Sequence, residues 1–142
     1  MSSSETFEYS SNSQAFHQIV DDVNRVLDKE KVSREERNPF VLAVSEAMTN
    51  AIIHGNKKNR RKKVQVSITV NEKLLSADIM DEGQGGLDRI RHRKPSTPKD
   101  EGGRGIDLIE HYATSVDYVQ IPAGGLKVKI RIERKTNSVI EK

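Results

Sequence analysis

Short runs of alternating apolar and polar residues constrain the fold of this chain more than any other feature. VQVSITV, residues 64–70, alternates strictly, and LLSADIMD, residues 74–81, follows after a short turn. SVDYVQI (115–121) and LKVKIRIE (126–133) form a second pair, joined by residues 122–125. Strands joined by such short turns pair with their neighbours in the chain, which favours antiparallel or mixed pairing over a parallel sheet.

Two segments with helical spacing precede the first strand pair, and a third lies between the two pairs. The first covers residues 14–31, and the second begins after a cap signal at Ser33 and runs to about His54. Gly55 and the residue after it form a normal C-terminal signal, so we expect the second helix to stop there. A third, shorter helix is predicted over 105–112.

Two further segments complete the predicted architecture. Residues 5–10 alternate and predict an edge strand, whereas residues 83–103 are rich in Gly, Pro and charge and predict a long loop. We expect an α+β fold, a two-layer α/β sandwich with about three helices on one face of a mixed, mostly antiparallel sheet. The length of residues 1–142 suits one domain, with an ordered core at about 5–134.

Composition excludes several classes of site. The chain lacks cysteine, which excludes a disulfide scaffold and a thiolate metal site. No apolar run is long enough to span a bilayer and no signal-peptide pattern is present, so we expect a cytoplasmic protein without a membrane partner. Tryptophan is absent and only three Phe and three Tyr occur, too few for a stacking platform for single-stranded nucleic acid.

A basic run, KKNRRKK, occupies residues 57–63 of a chain whose net charge is only +3. It has the charge for nonspecific contact with phosphates, but no element that reads bases accompanies it. Such a run is more often a solvated loop, and it suits an acidic partner protein equally well. We therefore expect no direct nucleic-acid partner.

EAMTNAIIHGN, residues 46–56, carries a polar stripe on an otherwise apolar helix. Glu46, Asn50 and His54 recur at four-residue steps and lie on one side of an α-helix. An Asn oxygen is a suitable ligand for Mg²⁺, and a Glu one turn away can accept or orient a proton. For His54, at the helix end, we prefer a structural role.

DEGQGG, residues 81–86, ends a predicted strand at the rim of the sheet. The Asp81 carboxylate can accept a hydrogen bond from an amino group such as that of adenine. Gly83 and Gly85 allow a sharp turn and the close approach of a flat ring. Taken alone, this pattern is usually just an acidic turn.

EGGRGIDLIE, residues 101–110, places glycines at the start of a helix. A helix N-terminus has unpaired N–H groups that can hold a phosphate, and Arg104 adds positive charge. The pattern matches neither the dinucleotide fingerprint nor the P-loop, and alone it favours an ordinary helix start.

These three motifs, in this order and at these separations, resemble the GHKL ATPase superfamily, which includes Hsp90, DNA gyrase B, MutL and sensor histidine kinases. EAMTNAIIHGN is similar to its N box, DEGQG to its G1 box and GGRGI to its G2 box. The resemblance covers about residues 5–134 and is greatest to the small bacterial anti-sigma-factor serine/threonine kinases. It implies the Bergerat ATP-binding fold.

The resemblance also implies roles for these residues in binding ATP and Mg²⁺. Asn50 would bind Mg²⁺, and Glu46 would be the catalytic base or orient the nucleophile. Asp81 would receive the adenine amino group, and Gly83 and Gly85 would shape the adenine pocket. The implied phosphate-binding positions are Gly103, Arg104, Gly105 and Ile106.

Residues 86–102 correspond to the ATP lid of the family. Its potential cations are Arg89, Arg91, His92, Arg93, Lys94 and Lys99. The chain departs from the family at GGLKV, residues 124–128, where Leu126 stands in place of a Thr whose hydroxyl helps to hold adenine.

The resemblance predicts a protein serine/threonine kinase that binds a sigma factor and phosphorylates an antagonist protein. Homodimers are common in such families, so a homodimer is a possible assembly. One alternative is a regulatory module that binds ATP without catalysis. The other is the ATP-binding domain of a sensor histidine kinase, which needs a helical region with an acceptor His that we do not find around His17.

Overall fold

Five antiparallel strands form one sheet in the computed structural model, which describes residues 2–91 and 101–135. They are β1 (Ser3–Ser10), β2 (Lys63–Val70), β3 (Leu74–Met80), β4 (Ser115–Gln120) and β5 (Leu126–Glu133). The strand order is β1-β2-β3-β5-β4, so β1 is an edge strand as predicted. The prediction allowed for a mixed sheet, but all four pairings are antiparallel.

The helices are α1 (Gln14–Lys29), α2 (Arg34–Thr49), a π-helix (Asn50–Gly55), α3 (Gly86–Arg91) and α4 (Glu101–Tyr112). Side-chain hydrogen bonds cap the N-termini of helices α1 and α2. The Asn12 side chain accepts hydrogen bonds from the backbone N–H groups of residues 14 and 15, and the Ser33 hydroxyl accepts one from Glu36. Side-chain acceptors of this kind satisfy N–H groups that the helix itself leaves free.

The core lies between the helices and one face of the sheet. On β2, Val64, Val66, Ile68 and Val70 are fully buried, whereas the residues between them are half-buried or exposed. The opposite face is polar, and the hydroxyls of Thr6 and Ser67 are hydrogen-bonded across it. The predicted two-layer α+β sandwich is therefore confirmed. No helix within the described ranges is long and apolar enough to cross a membrane.

The prediction of a continuous loop over 83–103 was wrong at both of its ends. Residues 86–91 form α3, a short helix that buries Ile90 and packs Leu87 against the core. Helix α4 begins at Glu101, four residues earlier than expected. The six residues of α3 are too few to show a hydrophobic period, and glycines hide the start of α4 because their helix propensity is low. Residues 92–100 lie outside the described part of the chain.

The helical segment ends at Gly55, as predicted, but its last six residues are not regular α-helix. Regular α-helix ends at Thr49, and a π-helix continues the chain to Gly55. Gly55 is not among the residues with positive φ, whereas Lys57 and Lys58 adopt φ of 53° and 60°. The reversal therefore falls after the glycine, and the absence of a side chain at residue 55 has another cause.

Polar groups join the edge strand β1 to helix α1. The Tyr9 hydroxyl donates to Asp22 Oδ2 at 2.7 Å, and burial raises the pKa of Tyr9 above its usual value. Lys29 Nζ lies 2.9 Å from Glu5 Oε2, and this contact lowers the pKa of Glu5 below its usual value. These contacts hold helix α1 against the edge strand β1.

Candidate functional site

The side chains of Glu46 and Asn50 meet where α2 passes into the π-helix. Glu46 is half-buried in the last turn of α2, and Asn50 is only 5% exposed. The Asn50 Nδ2 atom is buried and has no hydrogen-bond partner among the described residues. A buried amide without a partner is costly, so the site retains hydrogen-bonding capacity for a ligand.

Helix α4 brings Gly105 against this pair. A Cβ atom built on Gly105 would lie 3.1 Å from Glu46 Oε1 and 4.0 Å from Asn50 Nδ2. A side chain larger than hydrogen would therefore press on the Glu46 carboxylate and fill the space beside the amide. The structure thus brings together one predicted residue from the G2-like motif and two from the N-box-like motif.

The π-helix changes the predicted stripe beyond Asn50. The bond from Asn56 N–H to Ala51 O, at 2.7 Å, spans five residues and closes its wider turn, and the N–H of Lys58 donates to Ile52 O at 2.7 Å just beyond it. A wider turn no longer gives four-residue steps the offset they have in an α-helix, so His54 does not simply extend the stripe. His54 is half-buried near the end of the π-helix, and its structural role stays a prediction.

Asp81 lies just beyond β3, held between that strand and β5. It is 6% exposed, and its Oδ1 accepts hydrogen bonds from the N–H of Gly83 at 2.9 Å and of Leu126 at 3.1 Å. Its own N–H donates to Leu126 O at 3.0 Å. Two backbone N–H groups therefore fix the orientation of the carboxylate, and the third bond holds the backbone of Asp81 against β5.

Close packing of two glycines explains why neither position carries a side chain. A Cβ on Gly55 would overlap Asp81 Oδ2, and a Cβ on Gly83 would overlap the carbonyl oxygen of Gly55. The carboxylate of Asp81 thus rests on the end of the π-helix. Gly83 is required for a close approach of backbone to backbone, a use that the sequence analysis did not predict for it.

Position 85 requires glycine for a different reason from position 83. Its φ is +72°, and a Cβ there would have no neighbour within 4 Å. The turn itself, rather than a crowded neighbourhood, requires glycine at this position. Whether Gly83 and Gly85 shape an adenine pocket stays a prediction.

The π-helix joins the two halves of the site. Its first residue, Asn50, faces Gly105 of α4, and its last residue, Gly55, contacts Asp81. The buried carboxylate and the buried amide are therefore one short helix apart. π-Helical turns are rare and occur frequently at functional sites, which supports a binding role for this junction.

Asn56, which sequence reasoning missed as a site residue, holds this junction to the sheet. It is 1% exposed, and its Nδ2 donates to Ser11 Oγ at 2.8 Å and to Lys63 O at 3.0 Å. Its Oδ1 accepts from the N–H of Glu82 at 2.8 Å. The partners lie up to 45 residues away, so the local sequence contains no signal for this role.

Leu126 places a hydrocarbon side chain beside Asp81. It is 3% exposed, and a Cβ on Gly86 would lie 3.2 Å from its Cβ and Cδ2 atoms. The backbone of Leu126 orients Asp81, while its side chain packs at the start of α3. No hydroxyl is available from this position.

The predicted phosphate-binding residues all belong to α4. Gly103 and Arg104 lie in its first turn, where N–H groups have no partner within a helix. The side chain of Arg104 lies outside what the structure describes, as do the side chains of the lid cations. Ile106 is fully buried, and its side chain belongs to the hydrophobic core.

Comparisons with known proteins place the chain among nucleotide-binding domains. Residues 9–132 match the family described as the histidine kinase-like ATPase domain. Anti-sigma F factor of Bacillus subtilis is 34% identical over 100 residues, which cover 68% of each chain. Anti-sigma F factor of Oceanobacillus iheyensis is 33% identical over 98 residues, which cover 66% of this chain and 67% of that protein.

A solved structure shares the fold. It contains the RsbU and RsbW domains of a Mycobacterium tuberculosis protein, with a TM-score of 0.68 and 16% identity. The match covers 93% of the present chain and 33% of that longer chain. At this identity the likeness supports the fold alone.

Proposed function

The chain belongs to the family of histidine kinase-like ATPase domains, and on that premise we propose that it is an ATP-dependent protein serine/threonine kinase and an anti-sigma factor. In this proposal it binds a sigma factor and phosphorylates an antagonist protein on Ser or Thr. The curated relatives named anti-sigma F factors support the regulatory part. Since a sigma factor acts in the cytoplasm, the proposal places the chain there.

One observation carries the nucleotide-binding part of the proposal. The π-helix places the amide of Asn50, with its unpartnered Nδ2, beside Glu46 and Gly105, while its other end supports Asp81. These groups come from three separate motifs, and the core does not need any of them for apolar packing. A buried, pre-oriented polar set of this kind is typical of a ligand site.

The proposed residue roles follow from chemistry and position. The side chain of Asn50 would hold Mg²⁺, which takes few protein ligands and keeps waters and phosphate oxygens. When bound, the ion supplies charge neutralisation for the phosphates. Asp81 would accept a hydrogen bond from the adenine amino group, and Gly83 and Gly85 would let the ring approach.

Glu46 would orient the acceptor hydroxyl and take its proton. Phosphoryl transfer depends on position and charge more than on covalent chemistry by the protein. The first turn of α4, with Gly103 and Arg104, would hold phosphate oxygens through free N–H groups. Gly105 would keep the space above Glu46 open, and Ile106 would anchor the helix in the core.

The first test is calorimetry of ATP and ADP binding, with and without Mg²⁺. We expect Mg²⁺-dependent ATP binding by the wild type and a loss of about tenfold or more in Asn50→Ala. The matched control is Asn59→Ala, an exposed Asn in the loop after the π-helix, which should bind ATP like the wild type. Absence of ATP binding by the folded wild type would refute the proposal.

The second test separates a kinase from a module that only binds ATP. Leu126, which supplies no hydroxyl, is the observation that favours the second function. Purified sigma factors and their antagonists from the source organism would be incubated with the protein and γ-labelled ATP. A kinase labels an antagonist and loses this activity in Glu46→Gln while retaining ATP binding. Sigma-factor binding without labelling would establish the regulatory module.

A further inference from the structure

The loop at 57–63, here named the basic loop, dominates the charge of the chain. Six of its seven residues are Lys or Arg. The whole chain has 24 basic and 21 acidic residues, so the remainder has 18 against 21, a net charge of −3. Among the described residues, no ion pair includes a side chain of this loop. Its positive charge is therefore local and uncompensated.

The backbone of the basic loop is fixed to the π-helix. The N–H of Lys58 donates to Ile52 O at 2.7 Å, and Lys62 N–H donates to Asn59 O at 2.9 Å. The side chain of Asn59 accepts from the N–H of Arg61 at 3.0 Å. The cations are thus presented from a hydrogen-bonded turn, which reduces the entropy lost when a partner binds.

A groove of about 420 Å³, here named the basic groove, lies between this loop and the start of α1. Phe16, Ile52 and Ile53 form its apolar part, and Lys58 and Arg60 contribute the cations. Residues 11–13 complete the lining, which contains no carboxylate. Apolar surface and positive charge are therefore combined in one concave site of ordinary pocket size.

We propose that the basic groove docks an acidic segment of a partner protein, with one large apolar side chain inserted beside Phe16 and Ile53. Charge complementarity selects this occupant, because the lining offers cations and no anions. A nucleic acid suits the groove less well, since the apolar wall offers nothing to phosphates. The proposal stands apart from the nucleotide site and does not depend on kinase activity.

The test uses a fluorescein-labelled peptide, Asp-Glu-Leu-Glu-Asp-Leu-Glu-Asp, titrated with the full chain in the absence of nucleotide. Fluorescence anisotropy should show saturable binding that weakens as salt increases. The double variant Lys58→Glu/Arg60→Glu should weaken binding by about tenfold or more. A peptide with Ser in place of both Leu residues should also bind several-fold more weakly.

The matched control is Lys57→Glu/Arg61→Glu. It makes the same change in charge in the same loop, and each pair contains one lysine with positive φ. Neither Lys57 nor Arg61 lines the groove, so this variant should retain binding within about threefold. Thermal unfolding checks each fold, and the neutral pairs Lys58→Gln/Arg60→Gln and Lys57→Gln/Arg61→Gln replace any variant that does not fold.

Several outcomes would overturn the proposal. These are no binding by the wild type, equal weakening by the two charge reversals, or equal affinity for the Leu and Ser peptides. A twenty-base-pair DNA duplex that binds more tightly than the peptide and displaces it would assign the basic loop to nucleic acid instead. Because nucleotide is absent throughout, none of these results bears on the ATP site.

Discussion

The two ends of the β3–β5 pair are built in different ways. At the end near Asp81, backbone packs on backbone, and glycines allow the approach. At the opposite end, the side chain of Arg134 joins neighbouring segments through an ion pair and hydrogen bonds. Its guanidinium lies 2.9 Å from Glu36 Oε1 and donates to Asn71 O at 2.9 Å. This ties the end of β5 to the start of α2 and the β2–β3 turn.

The two ends differ in whether their buried polar side chains all have partners within the protein. Arg134 and Glu36 are 11% and 22% exposed and satisfy one another, so their end of the sheet is complete without a ligand. The end near Asp81 adjoins the π-helix and the buried, unpartnered Nδ2 of Asn50. A protein tolerates such a group where binding requires it. One end is therefore complete in itself, whereas the other leaves a buried donor free for the ligand that we propose.

Gly83→Ala should have the largest effect. The new Cβ would overlap the Gly55 carbonyl oxygen, and neither backbone can move without disturbing Asp81. We expect a loss of about 3 kcal/mol or more in the free energy of unfolding, together with loss of ATP binding. Denaturant unfolding and calorimetry measure the two effects.

Gly85→Ala is the control for this change. With no neighbour within 4 Å, it should cost only about 1–2 kcal/mol, from strain at positive φ. Equal losses at positions 83 and 85 would show that backbone conformation, rather than close packing, determines the need for glycine here.

Arg134→Ala should destabilise the opposite end by about 2–3 kcal/mol, because it leaves the carboxylate of Glu36 partly buried and unpaired. Calorimetric ATP affinity should stay within about twofold of the wild type, since the change is remote from the site. A double-mutant cycle with Glu36→Ala measures the coupling. A large loss of ATP affinity would mean that the two ends do not behave independently.

Asn56→Ala tests the hydrogen bonds by which Asn56 joins the π-helix to the sheet beside the candidate site. It leaves the N–H of Glu82 and the carbonyl of Lys63 without their partner, and we expect a loss of about 2 kcal/mol in stability. ATP binding should weaken as well, because Glu82 adjoins Asp81. Asn59→Ala, in the exposed loop, should change stability by less than about 0.5 kcal/mol. An unchanged ATP affinity in Asn56→Ala would show that the hydrogen bonds of Asn56 contribute to stability but not to ATP binding.

Glu5→Gln should have the smallest effect, about 0.2–1 kcal/mol, since Glu5 pairs with side chains that are half-exposed. The contact with Lys29 lowers the pKa of Glu5 below its reference of 4.5. The stability difference between wild type and variant should therefore be constant above that pH and vanish as the pH falls through the lowered pKa. Urea unfolding at a series of pH values checks this, and a difference that grows on acidification would contradict it.

Local pattern was enough to predict most of the fold. The strict alternation over 64–70 became β2, and the Ser33 cap signal became the start of α2. These features depend on residues at most a few positions apart, through the two-residue period of a strand or the hydroxyl that caps a first turn. The motifs pointed to Glu46, Asn50 and Asp81 as candidate site residues for a similar reason. Each is a polar residue in an apolar or glycine-rich segment.

Only the tertiary structure decided what the glycines and Asn56 do. Gly55 resembles a helix stop, yet its contact is Asp81, 26 positions further along the chain. The bonds of Asn56 join it to Ser11 and Glu82, on either side of it in the sequence. Residue type and spacing determine the local conformation and the face of a helix or strand on which each residue lies. Close approach and the pairing of buried polar groups depend on which distant segments pack together, and that is settled only when the sheet and helices assemble.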